Sequence, residues 1–292
     1  MSISLYRAVP RSSSVSFDAI VREVEPSPRV RRFRRGLRYA VWNEPERLTT
    51  DSQDLLYQAL NDLSPRIYGL DFTRYWQNRR DGDLFGHLYR FCVFADESGN
   101  LVGWSGYQLR RFTGRLCLYF DTAGILPEWQ GAGVVTDLES RAAVRELLTH
   151  PWESLYLVTR TPNPRLYRSF RAAVGPEHVY PASGHQPPAT IKAIARAVAE
   201  SNGQAHRMQL DQLKFVDAYL PHLTRLYAER PRSGDPEIDR WFDASLGPCD
   251  AFLIVAEARL SKLAAYRLRK IWRRIGGRWS KSQSRNPGSL PT

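Results

Sequence analysis

Gln130, Gly131, Ala132 and Gly133 stand where a run that alternates like a β-strand gives way to a run of helix formers. Residues of this type at such a junction suit one chemistry well, the binding of phosphate or diphosphate oxygens. The first amides of a helix have no partner inside it, point outward and carry partial positive charge, and glycine keeps side chains out of their way. Upstream, Leu116, Leu118 and Phe120 alternate with Cys117, Tyr119 and Asp121, which predicts a strand over residues 116–126 that Pro127 ends. Downstream, residues 132–148 read as a helix. The plainer alternative is a tight turn in which the glycines serve backbone geometry alone.

Other residues offer further chemistry. Asp121 shares a strand face with Tyr119, opposite Leu118 and Phe120, which makes it the best-placed carboxylate to accept a proton, directly or through water. It reads more readily as a structural carboxylate bonded to a neighbouring backbone amide. Glu128 lies beside the glycines, where an inward carboxylate would repel an anion, so it is expected on the surface. His87, His150, His178, His185, His206 and His222 show no ligand spacing, and no metal is assigned. Cys92, Cys117 and Cys249 are odd in number, widely spaced and set among strand-like residues, as core thiols of a reducing compartment are. Cys117 reads as a packed thiol rather than an acyl carrier. A short buried strand over residues 155–159 leads to Asn163-Pro164, an N-cap followed by proline at the first helical position, and a helix to about residue 173.

In this order, across about 80 residues, these elements resemble the Gcn5-related N-acetyltransferase (GNAT) superfamily. Its acyl-CoA motif runs Arg or Gln, two residues, Gly, one residue, Gly or Ala; Gln130 and Gly133 match, and Val135 replaces the small third residue. The resemblance implies an α/β, acyl-CoA N-acyltransferase-like fold with helices on both faces of a mixed, mainly antiparallel sheet. It implies acetyl-CoA as acyl donor, its diphosphate held by Gln130, Gly131, Ala132, Gly133, Val134 and Val135 and its pantetheine by backbone groups near Ile125, with Asn163 in the second block. Where the family often has an acidic tyrosine, seven residues beyond the asparagine, this chain has Phe170; Tyr167, one turn earlier on nearly the same face, is the candidate substitute acid, with a plain packing role as the alternative.

The expected activity is transfer of an acetyl group to an amine, of a small molecule or a peptide, by direct attack in a ternary complex. Aromatic residues such as Tyr68, Phe72, Tyr75 and Trp76 fall where the family builds its acceptor wall, and core packing explains them equally well. Two readings compete with an enzyme: a CoA-binding domain without chemistry, and an adaptor that meets nucleic acid or anionic membrane through basic tails.

The 292 residues suffice for one large domain with tails or two small ones. No apolar run approaches the ~18 residues of a membrane span, and the first residues lack the apolar core of a secretory signal, so a cytoplasmic location is expected. The net charge of +12 is concentrated in two acid-free segments, residues 29–38 and 267–285, whose cations outnumber the net charge, so the remainder is slightly acidic. Only weak, salt-sensitive anionic contacts are expected of such tails.

The expected organisation is a poorly ordered basic segment over residues 1–36, an acyl-CoA-binding core over 37–175, a helical extension with a late strand completing the sheet over 176–258, and a basic amphipathic helix with a loose tail over 259–292. Within it, strands are predicted near 37–42, 90–95, 101–111, 207–215 and 251–256, and helices near 51–62, 189–200 and 217–229, with 64–84 irregular. The apolar face of residues 260–275 would dock on its own domain or on a second subunit, making a homodimer.

Overall fold

The computed structural model describes residues 15–33, 36–131, 133–263 and 265. It is an α/β protein with a mixed, mainly antiparallel sheet flanked by helices. The chain divides into two units, one of Met1–Gln108, Asp121–Ala132 and Pro221–Glu229, the other of Leu109–Phe120, Gly133–Leu220 and Arg230–Thr292.

The first unit opens with helix α1 (Phe17–Glu23), whose N-terminal amide at Ala19 donates to Ser16 Oγ at 3.2 Å. Strands β1 (Arg29–Arg32), β2 (Arg38–Trp42), β3 (Arg90–Ala95) and β4 (Leu101–Phe112) follow, each antiparallel to the next, with helices α2 (Thr50–Tyr68), α3 (Thr73–Asp81) and α4 (Leu84–His87) between β2 and β3. Strand β5 (Arg115–Ile125) gives this unit its last five residues. The segment expected to lack order therefore contains a helix and a strand. Phe17, Ile20 and Val24 explain the helix, being almost wholly buried, whereas β1 exposes all four of its side chains and is held by its backbone ladder to β2.

Residues 64–84 are helical for most of their length, contrary to the irregular reading. Pro65 suggests a break, yet α2 continues through it to Gly69, which ends the helix at φ 75°. Burial of the apolar face outweighs the single hydrogen bond that proline forfeits. Trp76 and Trp104 meet edge to face at 5.6 Å in the core, and each indole N–H is satisfied, donating to Ser64 Oγ at 2.8 Å and to Thr122 Oγ1 at 2.9 Å.

The second unit begins with the end of β4 and the first residues of β5, Leu109–Phe120, and adds helix α5 (Val134–Thr149), strand β6 (Leu155–Thr161), helix α6 (Pro164–Val174), strand β7 (Val179–Tyr180), helix α7 (Ala189–Ser201), strands β8 (Met208–Gln209) and β9 (Lys214–Phe215), helix α8 (Pro236–Ser245) and strand β10 (Ala251–Ala258). Strands β5 and β6 run parallel, from Leu116 opposite Leu155 to Phe120 opposite Thr159, where the ladder ends. Strand β10 lies antiparallel to β6 from Phe252 opposite Thr161 to Ala258 opposite Leu155, and its other edge takes β7 and β9.

Two expectations fail between Arg207 and Glu229. The strand predicted for 207–215 is two short strands, β8 and β9, separated by a turn in which Leu213 adopts φ 48°. The helix predicted for 217–229 is a series of turns. Its backbone groups are engaged elsewhere: Asp217 N donates to Asp250 Oδ1 at 3.0 Å, and the Arg207 guanidinium donates to Leu220 O at 2.8 Å and to Asp217 O. These bonds offer the backbone a better option than helix. Ala132 and most of the proposed helix over 260–275 and its tail lie outside the described residues. Residues 260–263 are helical, with Leu263 buried and Leu260 exposed.

Candidate functional site

The junction that drew attention in the sequence begins as strand β5 ends at Ile125. A single 3-10 turn, Pro127–Trp129, carries the chain out of the strand, and Gln130 N closes it on Pro127 O at 3.1 Å. Proline at the first position of that turn supplies the required φ. Gln130 also reaches back, its Nε2 donating to Ile125 O at 3.2 Å, so the motif glutamine braces the turn against the strand it leaves.

Gly131 and Gly133 then both adopt the left-handed region, at φ 78° and 72°. A side chain is disfavoured at either position by about 1 kcal/mol or more. Gly133 is the N-cap of α5, and no side chain caps the helix. The first intrahelical bond is Asp137 N to Gly133 O at 2.9 Å, so the amides of Val134, Val135 and Thr136 precede it. A Cβ placed on Gly131 would meet nothing within 4 Å. The first turn of α5 thus starts at a glycine with no side-chain cap where the helix dipole is positive, which fits an oxygen-rich anion. Val134 is buried and Val135 half-buried. Glu128 is exposed, 3.9 Å from Arg66. Asp137, in the first turn, has its charge balanced by Arg141 at 2.9 Å.

Asn163 does what its type and position predict. Its Oδ1 accepts from Arg165 N at 2.9 Å and its own N–H donates to Thr161 Oγ1 at 3.0 Å, which fastens the start of α6 to the end of β6.

The two proton-transfer candidates belong to different units and are both engaged. Asp121 is half-buried with its side chain almost covered, its Oδ2 accepting from Arg79 Nη2 at 2.7 Å and from Gln108 Nε2 at 2.8 Å. A carboxylate gripped by a guanidinium and an amide anchors α3 to the strands. Tyr167 is buried against Trp241 and Phe242, and its hydroxyl donates to Pro181 O at 2.9 Å. Burial raises its pKa, although Arg171 pulls the other way. Phe170, at the position where the resemblance would have the acidic tyrosine, packs edge to face on Phe120 at 6.1 Å. Cys117 is a buried thiol whose pKa desolvation pushes up to about 12.

No protein-family model matches the sequence, and no curated protein does. Solved structures similar to it include a GNAT family N-acetyltransferase from Escherichia coli in complex with CoA, 16% identical over 49% of this chain and 68% of that one, with a TM-score of 0.30. The spermidine N-acetyltransferase of Vibrio cholerae is 17% identical over 47% of this chain and 77% of its own, at 0.28. The ribosomal-protein-S18-alanine N-acetyltransferase of Escherichia coli is 12% identical over 52% and 86%, at 0.33.

Sequence reasoning missed the residues that hold the strand end of this site. Arg79 is 42 residues from Asp121 and carried no local signal. Tyr68 donates its hydroxyl to Ala123 O on β5 at 2.9 Å, stacks on Phe72 at 4.6 Å and meets Tyr227 at 5.3 Å. Ala228 N in turn donates to Tyr68 O at 2.9 Å, so the segment 221–229 docks beside β5 in the first unit. Among the described residues there is no cluster of three or more His, Cys, Asp or Glu that could hold a metal ion, and no helix is long and apolar enough to cross a membrane.

Proposed function

We propose that this protein is an acetyl-CoA-dependent N-acetyltransferase. The observation that carries the reading is the uncapped start of α5, with Gly131 and Gly133 in left-handed conformations directly after β5. The diphosphate of the donor would lie against the amides of Gly131, Ala132, Gly133, Val134 and Val135, with Gln130 holding the turn and Ile125 at the pantetheine. In the reaction a neutral amine nitrogen attacks the thioester carbonyl carbon, the tetrahedral intermediate collapses, the C–S bond breaks and CoA leaves as thiolate, while the ammonium proton passes to a base. Positioning and oxyanion stabilisation supply most of the acceleration, so no covalent nucleophile is required. The acceptor is an amine of a small molecule or a peptide, and the proposed location is the cytoplasm.

One observation favours a second reading, a CoA-binding protein without turnover: Phe170 has no hydroxyl, and that of Tyr167 is committed to Pro181. Calorimetry with CoA and acetyl-CoA tests what both readings share. Wild type should bind both, and Gly131→Glu, which sets a carboxylate in the space beside the amides, should bind neither. Failure of the wild type to bind either ligand overturns both readings. Release of free thiol from acetyl-CoA with a panel of amines then separates enzyme from binder.

A further inference from the structure

Far along the chain from residues 125–135, the second unit contains a cavity of about 960 Å³ between α6, the loop after β7 and α8. Its size is at the upper end of small-molecule sites, roughly 300–1,000 Å³. Two cations from separate helices line it, Arg171 of α6 and Arg240 of α8. Among the described residues neither meets a carboxylate, and Arg171 lies over the Tyr167 ring at 5.8 Å. Of the two acids in the lining, Glu177 is already met by Lys262 and by His178, each at 3.4 Å. Glu237 is the remaining carboxylate, against two guanidiniums.

The lining includes the rings of Trp241 and Tyr167. Trp241 stacks on Phe252 at 4.8 Å with ring planes 20° apart and touches Tyr167 at 5.2 Å. The Tyr167 hydroxyl, through Pro181 O, ties the loop after β7 to α6 and so sets the back of the cavity. A half-buried tryptophan clamped on one side leaves a surface for a planar group, while guanidiniums offer paired donors to carboxylate or phosphate oxygens.

We propose that this cavity binds a small organic anion, a carboxylate or phosphate borne on a flat aromatic body, with Arg171 and Arg240 on the anionic head and Trp241 under the ring. The inference is independent of the acetyltransferase reading. Calorimetry of the full chain with indole-3-acetate and with phenyl phosphate tests it and separates the two head groups, with indole-3-ethanol as the uncharged control. At least one anion should bind saturably and the alcohol at least about tenfold more weakly. Arg240→Gln, a change on the exposed side of α8, should weaken the anion by about ten- to a hundredfold, the loss of one charge-assisted hydrogen bond. Gly131→Glu should leave that affinity unchanged. The proposal is overturned if neither anion saturates, if the alcohol binds as well, or if binding survives Arg240→Gln but is lost in Gly131→Glu, which would place the anion at the α5 terminus.

Discussion

Glu139 sits on the inner face of α5, buried, and desolvation raises its pKa from 4.5 to about 7. The folded protein therefore keeps a proton on this carboxyl over a pH range in which the unfolded chain has lost it. For an acid whose folded pKa is raised, stability is fully present below the unfolded pKa and declines as pH rises through the folded one. A tenfold change in proton affinity is worth about 1.36 kcal/mol, so the contribution lost between pH 4.5 and 7 is about 3 kcal/mol. Glutamine has nearly the same shape and no proton to lose. Glu139→Gln should thus match wild type near pH 4.5 and exceed it by up to about 3 kcal/mol above pH 7. Urea unfolding of both proteins at intervals from pH 4.5 to 8.5, monitored by circular dichroism, measures the difference. A difference that does not change with pH, or one that favours wild type at pH 8, refutes the argument.

Three further outcomes are expected. Gly124→Ala should cost about 1–3 kcal/mol in chemical denaturation, because the new Cβ would stand 2.6 Å from the buried Trp104 ring, closer than real contacts allow. Tyr167→Phe should lower stability by about 1 kcal/mol through loss of the bond to Pro181 O while leaving kcat for acetyl transfer unchanged; a fall in kcat of a hundredfold would return the hydroxyl to the chemistry. Cys117, with its thiol pKa pushed up to about 12, should resist alkylation by iodoacetamide at pH 8 in the native protein and react once unfolded, followed by peptide mass spectrometry.

Much of the site was legible because its information is local. The exit at Pro127, the left-handed Gly131 and Gly133, the start of α5 and the Asn163-Pro164 cap are each decided by a few consecutive residues, whose φ preferences and capping groups act within one turn of chain. Regular periodicity served as well for β3, β4, β5, β6 and α7. The same reasoning failed where a distant partner outweighed local preference. Pro65 stayed inside α2, and a segment with helical composition after Asp217 became turns because Asp250, Arg207 and Tyr68 take up its polar groups.

Residue types alone therefore determined the strand-turn-helix junction at residues 125–134 and the order of elements around it, since those follow from dihedral preference and hydrophobic period. Tertiary structure alone decided what each reactive side chain is free to do. It pairs the Asp121 carboxylate with Arg79 and Gln108, and the Tyr167 hydroxyl with Pro181 O. Proton affinity depends on burial and on the nearest charges and donors, and those neighbours come from parts of the chain that no local window contains.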